Sequence, residues 1–229
     1  MEVNTKYRFF HRFWTQEKGF AGMFILLCIM HFLLIPLFGN YSSFMIVLNI
    51  FWTLFVTTGI FSLATSKRQA LKIAVIPVLF IVCRWINVLK TDSILLYADI
   101  LLTVSTFVLI IILVLLKVFE KGPITIYRVI GSVVVYMLLA NLWAICYLFF
   151  FEEVAGSFNI THSAFELDSH IASFMYFSYI TITTTGFGEI VPVHPLARSM
   201  VQAEAIVGVL YPVILIGRLV SDANYFNKQ

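Results

Sequence analysis

The chain has 229 residues, of which 61% are hydrophobic, 16% aromatic and 12% charged, where a soluble domain carries about 25% charged residues. A water-soluble enzyme of this composition would lack polar surface to cover its core, and a net charge of +3 without a basic patch gives no footing for nucleic acid as a partner. About 140 apolar residues fill about six helical spans of about 20 residues each, which points to an all-α integral membrane protein.

Residues 1–19 form a cytoplasmic or interfacial N-terminal segment. Tyr7, Phe10 and Trp14 recur there at helical spacing, with Arg8 and Arg12 on another face. A short helix lying in the interface fits this pattern, and so does a basic juxtamembrane tail. The first apolar run is long enough to span and no small-residue cleavage site follows it, so no cleavable signal is expected.

Six stretches reach spanning length: Phe20 to Phe38, Phe44 to Thr65, Ala70 to Leu89, Ser93 to Val118, Ile126 to Phe151, and Arg198 to Ser221. Helix is expected for each, because an unpaired backbone group in lipid costs several kcal/mol and the alternation of barrel strands is absent. Residues 20–118 read as a four-helix membrane scaffold. Within it Arg84 and Asp99 fall at similar depth on adjacent spans and are expected to form an ion pair; the alternative is Arg84 snorkelling and Asp99 in a hydrated crevice. Cys28, Cys83 and Cys146 lie in three different apolar runs, which gives neither a disulfide framework nor a metal site and suits buried thiols acting as small hydrophobes.

With a cytoplasmic N-terminus, 12 of the 15 Lys and Arg residues lie inside, leaving Arg84, Lys90 and Arg198 toward the outside. The positive-inside rule therefore places both termini in the cytoplasm, in a plasma or cell inner membrane. Glu152, Glu153, Glu166, Asp168 and Glu189 then fall in the outer loop between the last two spans. They would concentrate cations, although any hydrated loop is acid-rich. His162, His170 and His194 share that loop and either make it pH-sensitive or are simply solvated. Asn159-Ile160-Thr161 is a glycosylation sequon on the same side.

That loop holds the one irregular segment with specific chemistry. Up to about Leu167 it is polar, as a surface loop should be. From Ser169 to Thr181 it turns apolar and aromatic over too short a run to cross a bilayer, which suits a re-entrant half-helix capped by Asp168 or Ser169. Thr183, Thr184, Thr185, Gly186, Phe187, Gly188 and Glu189 follow, and then Pro192 and Pro195, which stop the helix. Two glycines separated by one residue permit alternating backbone conformations, so successive carbonyls can point to one side and replace the hydration shell of a monovalent cation. The C-terminal end of the half-helix, worth about half an elementary negative charge, would favour a cation beyond it.

From about Ile126 to Ala223 the chain resembles the potassium-channel pore domain, with outer helix, pore helix, filter and inner helix. Thr184, Thr185, Gly186, Phe187 and Gly188 occupy the places of the Thr-Val-Gly-Tyr-Gly filter, and Glu189 stands where an aspartate usually follows. Val191 to Ser199, with Glu204, Ala205, Gly208 and Leu210, resemble small bacterial pore-loop channels. The resemblance implies K+ bound at Thr184, Thr185, Gly186 and Phe187, with Thr183, Glu189 and Glu204 supporting the filter. It also implies a gating hinge at Gly208 and Pro212, though both also suit close packing. Residues 126–223 are accordingly the expected pore domain, and residues 20–118 hold the position of a voltage sensor without its arginines. Each such charge is worth about 2.3 kcal/mol per 100 mV, whereas the fourth span carries only Asp99 inside and Lys117 at its end.

Thr185 replaces the usual Val and puts a hydroxyl on the side facing the pore helix, and Phe187 replaces Tyr and removes a phenol. Ile180 stands where some relatives place a glutamate that braces the post-filter acid, so that brace is expected to be missing. Glu204 lies mid-helix, where an ionisable side chain should have a partner. The threonine hydroxyls or backbone of the filter region are its expected partners; a wet face without a filter role is the alternative.

The expected architecture is thus six transmembrane helices plus one re-entrant pore helix and filter loop. One loop cannot encircle an ion, so three further copies of the chain are implied as partners, a homotetramer in membrane lipid. The expected function is passive conduction of K+, the permeant ion, with no cofactor, no catalysis and no regulatory domain after the inner helix. A non-selective monovalent cation channel is the nearest alternative. A secondary transporter, which usually shows two interrupted segments, and a non-conducting membrane subunit are more distant.

Overall fold

Long apolar segments that must satisfy their own backbone in lipid fold as helices, and the expected spans do so. A computed structural model describes residues 18–38, 44–64, 67–89, 93–120, 125–161 and 170–226. The first span, α1 (Lys18–Ile29), continues through a π-helical stretch, Met30–Leu34, into a last turn, Ile35–Phe38. Pro36 explains the change of pitch: its ring crowds the carbonyl four residues back and it brings no N–H, and the wider π turn absorbs the misfit. Then come α2 (Phe44–Leu63), α3 (Lys67–Leu89), α4 (Ser93–Val118) and α5 (Ile126–Glu153). After α5 follow β1 (Phe158–Ile160), α6 (His170–Ile182), β2 (Ile190–Pro192) and α7 (Pro195–Phe226). Among the described residues, six helices are long and apolar enough to cross a membrane, and α6 is not one of them. The protein is mostly helical and membrane-integral.

The chain divides into two compact units, Met1–Phe32 with Met45–Val135, and Leu33–Phe44 with Tyr136–Gln229. In the first, Phe51, Trp52, Phe55 and Phe107 form a buried aromatic core, with the Trp52 and Phe107 rings 4.7 Å apart. Leu71, Val75, Leu79 and Val82 on α3 are exposed, as a lipid-facing helix requires. Arg84 Nη1 lies 3.2 Å from Asp99 Oδ2, so the expected ion pair forms. Arg84 Nε also donates to Asn49 Oδ1 at 2.7 Å, a partner that the charges alone did not indicate. The three cysteines are free, but partly rather than fully buried.

The second unit departs from an all-helical fold. α5 extends to Glu153, and β1 pairs antiparallel with β2 in the register Phe158 to Pro192, Asn159 to Val191 and Ile160 to Ile190. The segment expected as polar surface loop therefore folds back against the residues that follow Glu189. Phe158 is buried against Tyr147, Phe174 and Phe177, with ring centroids 5.8, 5.3 and 5.8 Å away. This aromatic core offsets the weak pairing of two three-residue strands. The expected interfacial helix with Tyr7, Phe10 and Trp14 lies outside the described residues, as do His162, Glu166 and the Asp168 or Ser169 cap.

Candidate functional site

At 13 residues, α6 is about 20 Å long, short of the about 30 Å of a bilayer's hydrocarbon core. Its end is tightly made. Thr184 N–H donates to Thr181 O at 2.9 Å and Thr185 N–H to Ile180 O at 2.8 Å. Those two bonds constitute a Schellman motif, which needs a left-handed residue just past the helix. Glycine usually fills that place; here it is Thr184, at φ 58°. A β-branched residue in that region costs about 1–2 kcal/mol, so the first residue of the candidate filter is held under strain by the helix it terminates.

Positive φ then recurs at every second residue. Gly186 has φ 58° and Gly188 φ 86°, and no other atom comes within 4 Å of where a Cβ would stand on either. These two are therefore glycine for backbone conformation and not for want of room. Thr185 and Phe187, which alternate with Thr184, Gly186 and Gly188, do not have positive φ. Alternation of this kind is what turns successive carbonyls of one strand toward the same side.

Side-chain hydroxyls secure the base of the strand. Thr183 Oγ1 donates to Tyr179 O at 2.6 Å. Its one hydrogen is thereby used, so in the 3.0 Å contact between the two hydroxyls Thr185 is the donor. The Thr185 hydroxyl thus meets Thr183 rather than the body of α6. At the far end Tyr176 OH donates to Glu189 Oε2 at 2.8 Å. Position 180, an isoleucine, supplies no brace for Glu189, as expected; a phenol one turn earlier on α6 binds it instead. Partial burial, then the hydrogen bond and charge of Glu189, push the Tyr176 phenol up and keep it a donor. Thr161 N–H binds Glu189 O at 3.0 Å, extending the β1 and β2 pairing to the same residue.

α7 begins where the residues prescribe. Pro195 takes the first helical position, where its missing N–H is not needed, and His194 caps the turn by accepting from Leu196 N–H at 3.2 Å. Farther along, Gly208 touches the end of α6: a Cβ there would lie 2.0 Å from Ile182 O. Glycine at 208 is thus required by close approach. Pro212 has no N–H for the Gly208 carbonyl four residues back. Tyr136 OH lies 2.8 Å from Ile182 O and 3.4 Å from Gly208 O, so one phenol serves the last carbonyl of α6 and the carbonyl that Pro212 leaves open. A hollow of about 430 Å³ is lined by Thr184, Ala205, Ile206, Val209 and Leu210.

Glu204 is fully buried, at 0% exposure. Its expected threonine partners are not the ones it has. Tyr147 OH donates to Oε2 at 2.5 Å, and the Ser178 hydroxyl meets Oε1. The carboxyl therefore joins α7 to α6 and α5 and does not reach the strand from Thr183 to Glu189. Tyr136 and Tyr147, missed from the sequence, are 11 residues apart and so share one face of α5. That spacing was the available signal.

Residues 124–223 match the family model described as "Ion channel". This segment, a little under half of the chain, is similar to ion-channel domains. The matched segment takes in α5, β1, α6, β2 and most of α7, and the family it resembles is one of channels rather than enzymes. No curated protein and no solved structure gives a significant match.

Proposed function

We propose that this protein conducts K+ passively through a pore built by four copies of the chain. Each copy contributes a strand in which Thr184, Thr185, Gly186, Phe187 and Gly188 offer oxygens to the ion, with α6 as a re-entrant pore helix. The observation that supports this reading most directly is the alternation of positive φ at Thr184, Gly186 and Gly188 inside the segment similar to ion-channel domains. An oxygen column of that kind replaces a monovalent cation's water shell, and four strands are needed to surround it. In this reading Thr183, Glu189 and Glu204 support the filter, Gly208 and Pro212 form the hinge, and both termini are cytoplasmic. The pore is not driven by an arginine-rich sensor, since α4 bears only Asp99 and, at its end, Lys117.

The test is reconstitution of the purified protein into liposomes, with K+ and Na+ flux measured under opposing gradients and Ba2+ as blocker. K+ flux above carrier rates, blocked by Ba2+ and without comparable Na+ flux, is expected. Comparable Na+ flux would replace K+ selectivity by non-selective cation conduction. Flux that never exceeds turnover-limited rates would overturn the channel reading.

A further inference from the structure

We infer that Glu204 is a positioning residue that works as a neutral, protonated carboxylic acid, passing a hydrogen bond from α5 through α7 and α6 back to α5. The argument is a count of hydrogens. A serine hydroxyl has one hydrogen and a backbone carbonyl has none. Ser178 Oγ is 2.6 Å from Ala140 O, a contact that only the serine hydrogen can make attractive. Ser178 Oγ is also in contact with Glu204 Oε1. With its own hydrogen committed to Ala140, Ser178 is the acceptor there, and the hydrogen comes from Glu204. On the other side Tyr147 OH donates to Oε2. The chain thus runs in one direction, Tyr147 to Glu204 to Ser178 to the Ala140 carbonyl, with one hydrogen for each link.

The surroundings agree with this count. Tyr136, Cys146 and Tyr147 on α5 are the titratable groups near Glu204, and none of them is a cation. Among the described residues the Glu204 carboxyl meets two hydroxyls and no cation. An ionised carboxylate without exposure and without a cation carries a desolvation cost that two neutral hydroxyls do not offset, whereas the neutral acid has each polar atom satisfied. Ser178 lies one turn before Ile182 on α6, so the clip fixes the helix whose end sets the first residues of the candidate filter.

The consequence for conduction rests on the channel reading above; the protonation state does not. The experiment therefore has two arms on the full-length protein in lipid. Infrared difference spectra between the wild type and Glu204→Gln should show the carbonyl stretch of a protonated carboxylic acid in the wild type alone. Ser178→Ala should move that band to higher frequency, because its hydrogen-bond acceptor is gone. No such band, or a band unmoved in Ser178→Ala, would overturn the inference. In the liposome arm, Glu204→Gln, which can donate to Ser178 and accept from Tyr147, should keep most of the K+ flux, and Glu204→Ala should lose about tenfold or more. Equal loss in both variants would overturn the positioning role. If Glu204→Ala does not assemble, full loss in Glu204→Gln relative to wild type decides the point alone. A wild type that passes no K+ defeats the channel reading and leaves the infrared arm standing.

Discussion

Two carboxyl groups lie deep in apolar helices of this chain, one in each compact unit, and they are held by opposite means. Asp99, on α4, faces a guanidinium: Arg84 holds one of its oxygens at 3.2 Å, while the other, Oδ1, is buried without a hydrogen-bond partner among the described residues. Glu204, on α7, faces only hydroxyls among the described residues, and both of its oxygens are engaged. The first arrangement balances charge and leaves hydrogen bonding incomplete, and the second completes hydrogen bonding without a countercharge. What differs is therefore the penalty for losing a partner. Removing one member of an ion pair strands a charge, while removing one member of a hydroxyl chain strands a dipole.

The contrast breaks most readily at Asp99. Asp99→Ala should lower the stability of the full chain in detergent by about 3 kcal/mol, because Arg84 is left uncompensated. Reversal of both charges, Arg84→Asp with Asp99→Arg, should recover part of what either single reversal loses; no recovery would show that the pair contributes little by its charge. Gly208→Ala comes next. Its new Cβ would stand 2.0 Å from Ile182 O, so the variant should lose about 1–3 kcal/mol, and K+ flux with it, as α6 is pushed away from α7. Tyr147→Phe sharpens the comparison, since it removes one link of the Glu204 chain and leaves no charge behind. The cost should be about 1 kcal/mol by the same denaturation measurement, and a loss equal to that of Asp99→Ala would mean that Glu204 is held as an ion after all. The smallest effect is expected at Tyr176→Phe. Its contact with Glu189 is exposed, so global stability should change by less than about 1 kcal/mol, and faster decay of K+ flux after a concentration jump is the measurement that registers a loosened strand.

Much of this architecture was legible before any coordinates. Apolar runs of spanning length are a strong signal because lipid leaves the backbone no other choice, and all six expected spans begin within three residues of a helix start. The alternating backbone at Gly186 and Gly188 was legible because two glycines separated by one residue after a short aromatic run permit that conformation where other residues resist it. β1 and β2 were not legible, since three residues carry no periodicity and the pairing joins segments about 30 positions apart. The partners of Glu204 were missed for a related reason. An acid in mid-helix announces that it needs a partner, but the spacing that puts Tyr136 and Tyr147 on one face of α5 does not say that the face meets Glu204, and Ser178 sits among aromatic residues where nothing marks it. Thr184 in left-handed geometry was hidden by its side chain, because glycine is the residue that normally signals such a helix end.

The Tyr136 phenol has a single hydrogen and two backbone carbonyls in reach, Ile182 O at 2.8 Å and Gly208 O at 3.4 Å. It cannot satisfy both fully at once. The better placed the hydrogen is for one carbonyl, the worse it is for the other, so the two helices compete for one proton. A change in how α7 meets this phenol would therefore register at the last turn of α6, before Thr184, as a redistribution of one bond.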